Sequence, residues 1–272
     1  MPLLRNRAAL AGAGVLLAFA ALAAAAGWIF PGDPLDMVGQ PLLWPGQDMA
    51  FPLGTDALGR DVAAGLVHGA RASMAVGAYA ALIGLVIGTV VGAAGGYFGG
   101  RIDTALTRLT ELFQTTPTML LAIVIIAIAN PSTGTVALAI GLASWPTIAR
   151  LVRAQFRSLR EADFVTAARS LGYSHLRIIF GEMLPNALPP VVVTTSVMVA
   201  SAILLESALS FLGLSDPNVM SWGAMIGNGR ELLRSAWYLT ALPGAAISLV
   251  VLSLNLLGDG LNDHFNPRLR SR

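Results

Sequence analysis

Long uncharged apolar runs alternate with short polar stretches along the whole chain. The first run covers residues 8–32, directly after Arg5 and Arg7. Its apolar part is about 22 residues, enough to cross a bilayer and longer than the usual core of a signal peptide. The small residues Ala23 to Ala26 also resemble a cleavage site. A cleaved leader and a retained helix are both open, and length favours the helix. Residues 72–100 carry no charge and form a second predicted span. Residues 112–149 are uncharged but too long for one helix, and Asn130-Pro131-Ser132-Thr133-Gly134 divides them into two spans joined by a tight turn. Residues 188–205 form a fifth span, with Pro189 and Pro190 in its first turn. Residues 236–257 form a sixth. The pattern predicts an all-α integral membrane protein with six transmembrane helices.

The stretches between these runs predict further elements. Residues 30–71 are rich in Pro, Gly and Asp and read as an extramembrane segment with turns. Asp56 is a candidate N-cap for a short helix through Gly65, with Leu58, Val62 and Leu66 on one face and Arg60 paired locally. Arg101, Asp103 and Arg108 mark a short polar turn. Residues 215–235 are polar again, and Trp222 and Trp237 suit a membrane interface.

Residues 160–186 mix charge, small residues and apolar residues more evenly than any other stretch. Glu161 and Asp163 stand where a helix N-terminus favours negative charge, and Arg169 stands in the last turn. Phe164, Val165, Ala168 and Leu171 fall at helical spacing as one apolar stripe. Gly172 is the residue best able to leave a helix in a left-handed conformation. Ser174 can cap a second short helix carrying Leu176, Ile178, Ile179 and Phe180, which Leu184-Pro185-Asn186 then ends. The pattern is a small amphipathic helix-glycine-helix hairpin between two membrane segments, or a solvated loop with some helix.

Within the second span, Ala80, Gly84, Gly88, Gly92, Gly96 and Gly100 recur every four residues on one helix face. In lipid, such a ridge lets two backbones approach closely, so it predicts tight packing against a neighbouring helix. Two acids lie near or inside apolar runs, Glu111 and Glu206. A carboxylate there is costly unless it faces protein or water, so both are candidates for a pathway or gate. Glu111 also has Arg108 within reach as an interfacial partner.

Composition narrows the chemistry. Hydrophobic residues make up 55% of the 272 positions and charged residues only 12%, about half the charged share of a soluble domain. With no cysteine there are no disulfides and no thiol chemistry. His68, His175 and His264 never reach metal-ligand spacing, so no metal site is expected. Every basic residue is arginine. A phosphate-binding loop of the Walker type needs its lysine, so any ATP-driven work would fall to another subunit. A net charge of +2 does not suggest nucleic acid.

Four motifs carry a resemblance. Ala167-Ala168, then Gly172 after three intervening residues, then Leu184-Pro185, resemble the EAA loop of ABC importer permeases. Thr166 stands at the usual Glu of that loop, and Glu182 at the usual apolar position before Leu-Pro. Residues 53–61, L-G-T-D-A-L-G-R-D, resemble the segment before the second span in dipeptide and oligopeptide permeases of the C type. Residues 206–214, E-S-A-L-S-F-L-G-L, and the closing stretch 255–268 are similar to the same family.

The resemblance implies a type I ABC importer fold. It divides the chain into residues 1–71, a first helix with an extracytoplasmic segment, and residues 72–272, the permease domain with a cytoplasmic coupling loop at 153–186. It also implies the partners: a second homologous permease, two ABC ATPase subunits that hold ATP and Mg, an extracytoplasmic substrate-binding protein, and the bilayer. Glu161, Asp163, Phe164, Ala167, Ala168, Arg169, Leu171, Gly172, Leu184 and Pro185 would form the docking foot, and this chain itself would bind no cofactor. Relatives with these motifs carry di- and oligopeptides, glutathione, nickel chelates, opines or other small solutes, and peptide is the base-rate choice. A lone secondary transporter using Glu111 and Glu206 is the alternative, against which stands the lack of an internal repeat.

Orientation follows from the arginines. Six spans place both termini, the 101–108 turn and the 150–185 loop on one side. That side holds Arg5, Arg7, Arg101, Arg108, Arg150, Arg153, Arg157, Arg160, Arg169, Arg177, Arg268, Arg270 and Arg272, against Arg60, Arg71, Arg230 and Arg234 on the other. The positive-inside rule makes the richer side cytoplasmic, and the resemblance implies a bacterial inner membrane.

Overall fold

The computed structural model describes residues 6–265. Arg5, Arg268, Arg270 and Arg272, with the end of the C-terminal motif, lie outside the described residues. The described chain is almost wholly helical, and its one β feature is an isolated bridge between Thr55 and Asp61. Helix α1 covers Arg7–Ile29, α2 Val62–Phe98, α3 Gly100–Thr115, α4 Thr118–Ala129 and α5 Thr133–Arg160. They are followed by α6 (Asp163–Ser170), a single turn α7 (His175–Arg177), a π-helical turn (Ile178–Met183) and α8 (Leu184–Phe211). Helix α9 (Trp222–Gly229), a 3-10 turn (Arg230–Leu232) and α10 (Tyr238–Phe265) complete the described chain. Five of these helical stretches are long and apolar enough to cross a membrane, and six if the bent pair α3–α4 counts as one span.

The predicted third span is that bent pair. The chain turns by 87° between α3 and α4, because Pro117 pushes Thr116 into an extended conformation, φ −86° and ψ 126°. Helix α4 is 12 residues long, about 18 Å, well short of the hydrocarbon thickness. The stretch expected as a polar turn is α3 itself. The true turn is Gly99-Gly100, where φ is +66° and +53°, and the guanidinium of Arg160 lies against Gly99 where a side chain would stand. Gly100 therefore leaves the four-residue ridge and starts the next helix.

The rest of the ridge lies against α5. A methyl group built on Gly88 would sit 2.7 Å from both Ile148 Cβ and the Trp145 carbonyl oxygen, and one on Gly96 2.6 Å from Phe156 Cβ. Gly141 of α5 returns the fit, with Ile83 Cβ 2.7 Å from where its own side chain would be. Ala80 to Gly96 covers about 24 Å of helix at 1.5 Å per residue, so the two backbones stay close over most of a bilayer. Helix α1 packs along α10, with Gly12 facing Ser253 and Leu256 and Ala9 and Ala26 fully buried.

Apolar packing falls into three clusters. One joins the ends of α2 and α5 to the hairpin through Tyr97, Phe156, Val165, Ile178 and Met183. A middle one joins α2, α4, α5 and α8 through Val76, Ile126, Ile140 and Leu209. The third joins α1, α2, α9 and α10 through Val62, Trp222, Tyr238 and Val250. Trp222, expected at the interface, is fully buried there. Its Nε1–H donates to the Leu66 carbonyl at 2.9 Å, and the indole lies where a side chain on Gly69 would otherwise stand. Trp237 remains exposed.

Residues 30–61 form an ordered cover without helix. Asp56 does not start a helix; its carboxylate accepts from the Leu58 and Arg60 amides at 2.8 and 2.9 Å and closes a turn. Asp61 is the cap of α2, accepting from Ala63 N–H at 2.8 Å. Arg60 has no ion pair within 4 Å among the described residues, and its Nε is buried without a partner. The cover is pinned by Tyr238, whose hydroxyl is within 2.9 and 2.8 Å of the Leu43 and Thr55 carbonyl oxygens.

The glycine seam gives a direct test. Gly88→Val is expected to lower the thermal midpoint of the detergent-solubilised protein, by the equivalent of about 1–3 kcal/mol of overpacking. Gly14→Ala, where an added methyl meets nothing within 4 Å, is expected to leave it unchanged or raise it. Equal midpoints for both variants would contradict the packing described.

Candidate functional site

Helix α6 is short because both its ends are chemically fixed. Asp163 sits in the first turn and Arg169 in the last, the favourable polarity for a helix dipole. At the far end Tyr173 N–H donates to the Ala168 carbonyl at 3.1 Å and Gly172 N–H to Arg169 at 3.0 Å. Gly172, at φ +76°, takes the left-handed position that this double closure requires. The Ser174 hydroxyl then accepts from Arg177 N–H and starts α7.

The expected apolar stripe divides in two. Val165 and Ala168 are buried against Phe156, Ile178 and Met183. Phe164 is 40% exposed and Leu171 72%. The inner half anchors the hairpin to its own chain, so Ala168 does not face a partner. Ala167 lies on the outer side and is exposed, as are Glu161, Asp163, Arg169 and Gly172. Leu176 and Phe180 from the second half of the hairpin are 67% and 61% exposed. The outer surface is thus an apolar patch of Phe164, Leu171, Leu176 and Phe180 among charged residues. Sequence reasoning placed Leu176 and Phe180 in the hairpin but not on its outer surface.

The hairpin does not end at Leu184-Pro185. One helical stretch runs from His175 to Phe211, passing through the π turn, where Leu184 N–H reaches back to the Ile179 carbonyl. Widening the turn relieves the clash a proline ring makes with the preceding turn, so the chain passes Pro185 without breaking. Leu184 is half-buried and Pro185 exposed in the first turn of α8. Pro189 and Pro190 lie in the interior of α8, beyond the first turn expected for them.

Two contacts tie the hairpin to the α2–α5 seam. The Tyr97 hydroxyl is 2.8 Å from His175 Nδ1, and Arg169 stacks 5.5 Å from the centre of the Tyr97 ring. Helix α3 is held to α5 by a bidentate pair, Arg153 Nε and Nη2 to the two Asp103 oxygens, the second at 2.8 Å.

Glu111 and Glu206 are not brought together. Glu111 lies exposed on α3, paired with Arg108 at 3.1 Å. Glu206 is buried in α8, where its Oε1 accepts from the Ser210 hydroxyl at 2.7 Å and its Oε2 from Ser207 at 3.4 Å. They line different cavities, of about 280 Å³ and 20 Å³. A third cavity, about 630 Å³, opens between the α3–α4 junction, α5 and α8. The sequence pattern did not single out its lining, which includes Gln114, Thr118, Ser144, Thr147, Thr194 and Ser201.

The described residues form a helical membrane protein with a broken span, a close-packed glycine seam and an anchored hairpin. Residues 84–271 match the family described as binding-protein-dependent transport system inner membrane component, and the chain belongs to that family. It is 38% identical to a di/tripeptide transport system permease protein of Pseudomonas aeruginosa, over 98% of this chain and 90% of that one. A dipeptide transport system permease protein of Haemophilus influenzae is 36% identical over 98% and 92%. A glutathione transport system permease protein of Pectobacterium atrosepticum is 35% identical over 98% and 89%. Among solved structures, the inward-facing MetNI methionine ABC transporter matches with a TM-score of 0.61 at 18% identity, over 74% of this chain and 96% of that one. At that identity the likeness shows the fold, a type I ABC importer transmembrane domain.

The anchoring residues predict a local phenotype. Val165→Asp would bury an unpaired charge, costing several kcal/mol, and is expected to release the hairpin while the spans stay packed. Limited proteolysis within residues 160–175 should then accelerate on the order of tenfold, with the helical circular dichroism of the whole protein preserved. An unchanged cleavage rate would contradict the anchoring role.

Proposed function

We propose that this chain is one of two permease halves of an ATP-driven importer for di- and oligopeptides, coupled to cytoplasmic ATPases through the hairpin around α6. The observation that carries the reading is the hairpin itself, anchored by Val165 and Ala168 and presenting Phe164, Leu171, Leu176 and Phe180 outward. Exposed apolar side chains gathered on one short hairpin among charged residues fit a protein-docking surface. Glu161, Asp163 and Arg169 supply the polar rim, Ala167 and Gly172 allow close approach, and Leu184 and Pro185 lead into α8. The peptide substrate is supported by the relatives named for di- and tripeptide transport.

The partners follow from the same family. A second permease completes the pathway, an extracytoplasmic binding protein delivers the solute, and two ATPase subunits hold ATP and Mg. Both termini and the hairpin are cytoplasmic in this reading, supported by Arg7, Arg153, Arg157, Arg160, Arg169 and Arg177 toward one end of the spans. Closure of the ATPases displaces the hairpin. The buried contacts of Phe156, Val165, Ile178 and Met183 pass that motion to α2, α5 and α8, which open alternately to the two sides.

Leu171→Asp places a charge at the centre of the outer patch without touching the buried half. It is expected to leave expression and membrane insertion intact while the ATPase subunits no longer co-purify with the permease, and peptide uptake falls by at least about tenfold, the scale of losing one apolar anchor. Full recovery of the ATPases with the variant would refute the docking role.

A further inference from the structure

Resting on the peptide-permease reading above, we infer that Arg150 is a substrate-recognition residue that receives the carboxylate of the transported solute within the membrane. The cavity between the α3–α4 junction, α5 and α8 holds about 630 Å³, the size of a small-molecule site. Each element contributes hydroxyl or amide side chains, Gln114 and Thr118 from α3–α4, Ser144 and Thr147 from α5, Thr194 and Ser201 from α8, set among apolar ones such as Phe113, Val197 and Leu205. Polar side chains at membrane depth are placed where they face protein or a water-filled passage, and they mark substrate routes.

Arg150 is the one formal charge on that lining, and no carboxylate faces it there. It lies 17 residues into α5 from Thr133, about 25 Å along the helix, at the inner end of the cavity. The acids nearest in chain and fold are held by other arginines: Asp103 by Arg153, Glu111 by Arg108, Glu161 by Arg160. Arg150 also lines the smaller adjoining cavity together with Glu111, Arg153 and Gln114, where Glu111 is the one carboxylate and is paired with Arg108. Among the described residues Arg150 has no ion pair within 4 Å and no side-chain hydrogen bond. An unpaired guanidinium facing a polar cavity offers a planar fork of donors that fits a carboxylate bidentately. Every unmodified linear peptide ends in such a group. A lipid phosphate is the competing anion, reached if the side chain extends to the membrane surface.

The test uses the assembled importer with its own partner subunits in proteoliposomes. Uptake of dialanine and trialanine is compared with uptake of their C-terminal amides, for the wild type, Arg150→Gln and Arg150→Lys. The binding protein is the same throughout, so its own preference cancels when acid-to-amide ratios are compared between variants. Arg150→Gln is expected to lower the ratio about tenfold, the scale of one charge-assisted hydrogen bond, and Arg150→Lys to lower it less. Thr147→Asp supplies a competing carboxylate three residues away on the same helix face and is expected to lower the ratio with the arginine still in place. That variant decides the matter if Arg150→Gln does not assemble. An unchanged ratio in an assembled variant overturns the assignment and leaves Arg150 to the lipid phosphates. A wild type that takes up none of these peptides overturns the peptide reading itself.

Discussion

The close approach of α2 and α5 sets the position of everything else in this protein. Gly84, Gly88, Gly92 and Gly96 give α5 a side-chain-free track on which Trp145, Ile148, Val152 and Phe156 rest. Hydrophobic burial cannot hold two helices together in lipid, where tails are as apolar as leucine. Close van der Waals contact can, and only small residues permit it. The seam ends at the hairpin. Phe156 lies on Gly96 and also belongs to the cluster that anchors the hairpin, and Tyr97 follows Gly96 directly with its hydroxyl on His175. Motion of the hairpin therefore has a stiff route into the spans.

The same helix reaches both the hairpin anchor and the cavity. The inner length of α5 carries Arg150 into the polar cavity, Arg153 onto Asp103 and Arg160 over the Gly99-Gly100 turn. A displacement of the hairpin cannot move α5 without moving the wall of the cavity. Helix α8 closes the circuit, since the helical stretch leaving the hairpin at His175 is also the one that presents Thr194 and Ser201. Helices α5 and α8 are thus the elements that reach both the hairpin and the cavity.

The spans and the hairpin were legible in the sequence because each rests on a local signal, an uncharged apolar run in one case and Gly172 after an amphipathic turn in the other. What was not legible depended on neighbours. Helix α3 looked like a polar turn because four charges crowd its length, although Asp103 turns inward to Arg153 of α5 while Arg108 and Glu111 pair on the exposed side. Asp56 and Asp61 are equally good caps by composition, and only the Gly59 turn decides between them. Leu184-Pro185 looked like a break because the widened turn that accommodates it has no signature of its own. Trp222 looked interfacial because Gly69, which makes room for it, stands more than 150 positions away. Arg150 was counted only as one more inside arginine. Its signal was present in Ser144 and Thr147 preceding it within a predicted span.

The central claim is that the outer patch of the hairpin lies in a groove of an ATPase subunit, and contact is the most direct test of it. A photo-crosslinking benzoyl-phenylalanine at Phe180, with the same probe at Trp28 as control, reports that contact in native membranes. Trp28 is 90% exposed at the opposite end of the spans. A covalent adduct between the Phe180 probe and an ATPase chain is expected, in a yield that changes when ATP is added, with no such adduct from Trp28. An intact complex in which the Phe180 probe labels only lipid or its own chain would contradict it.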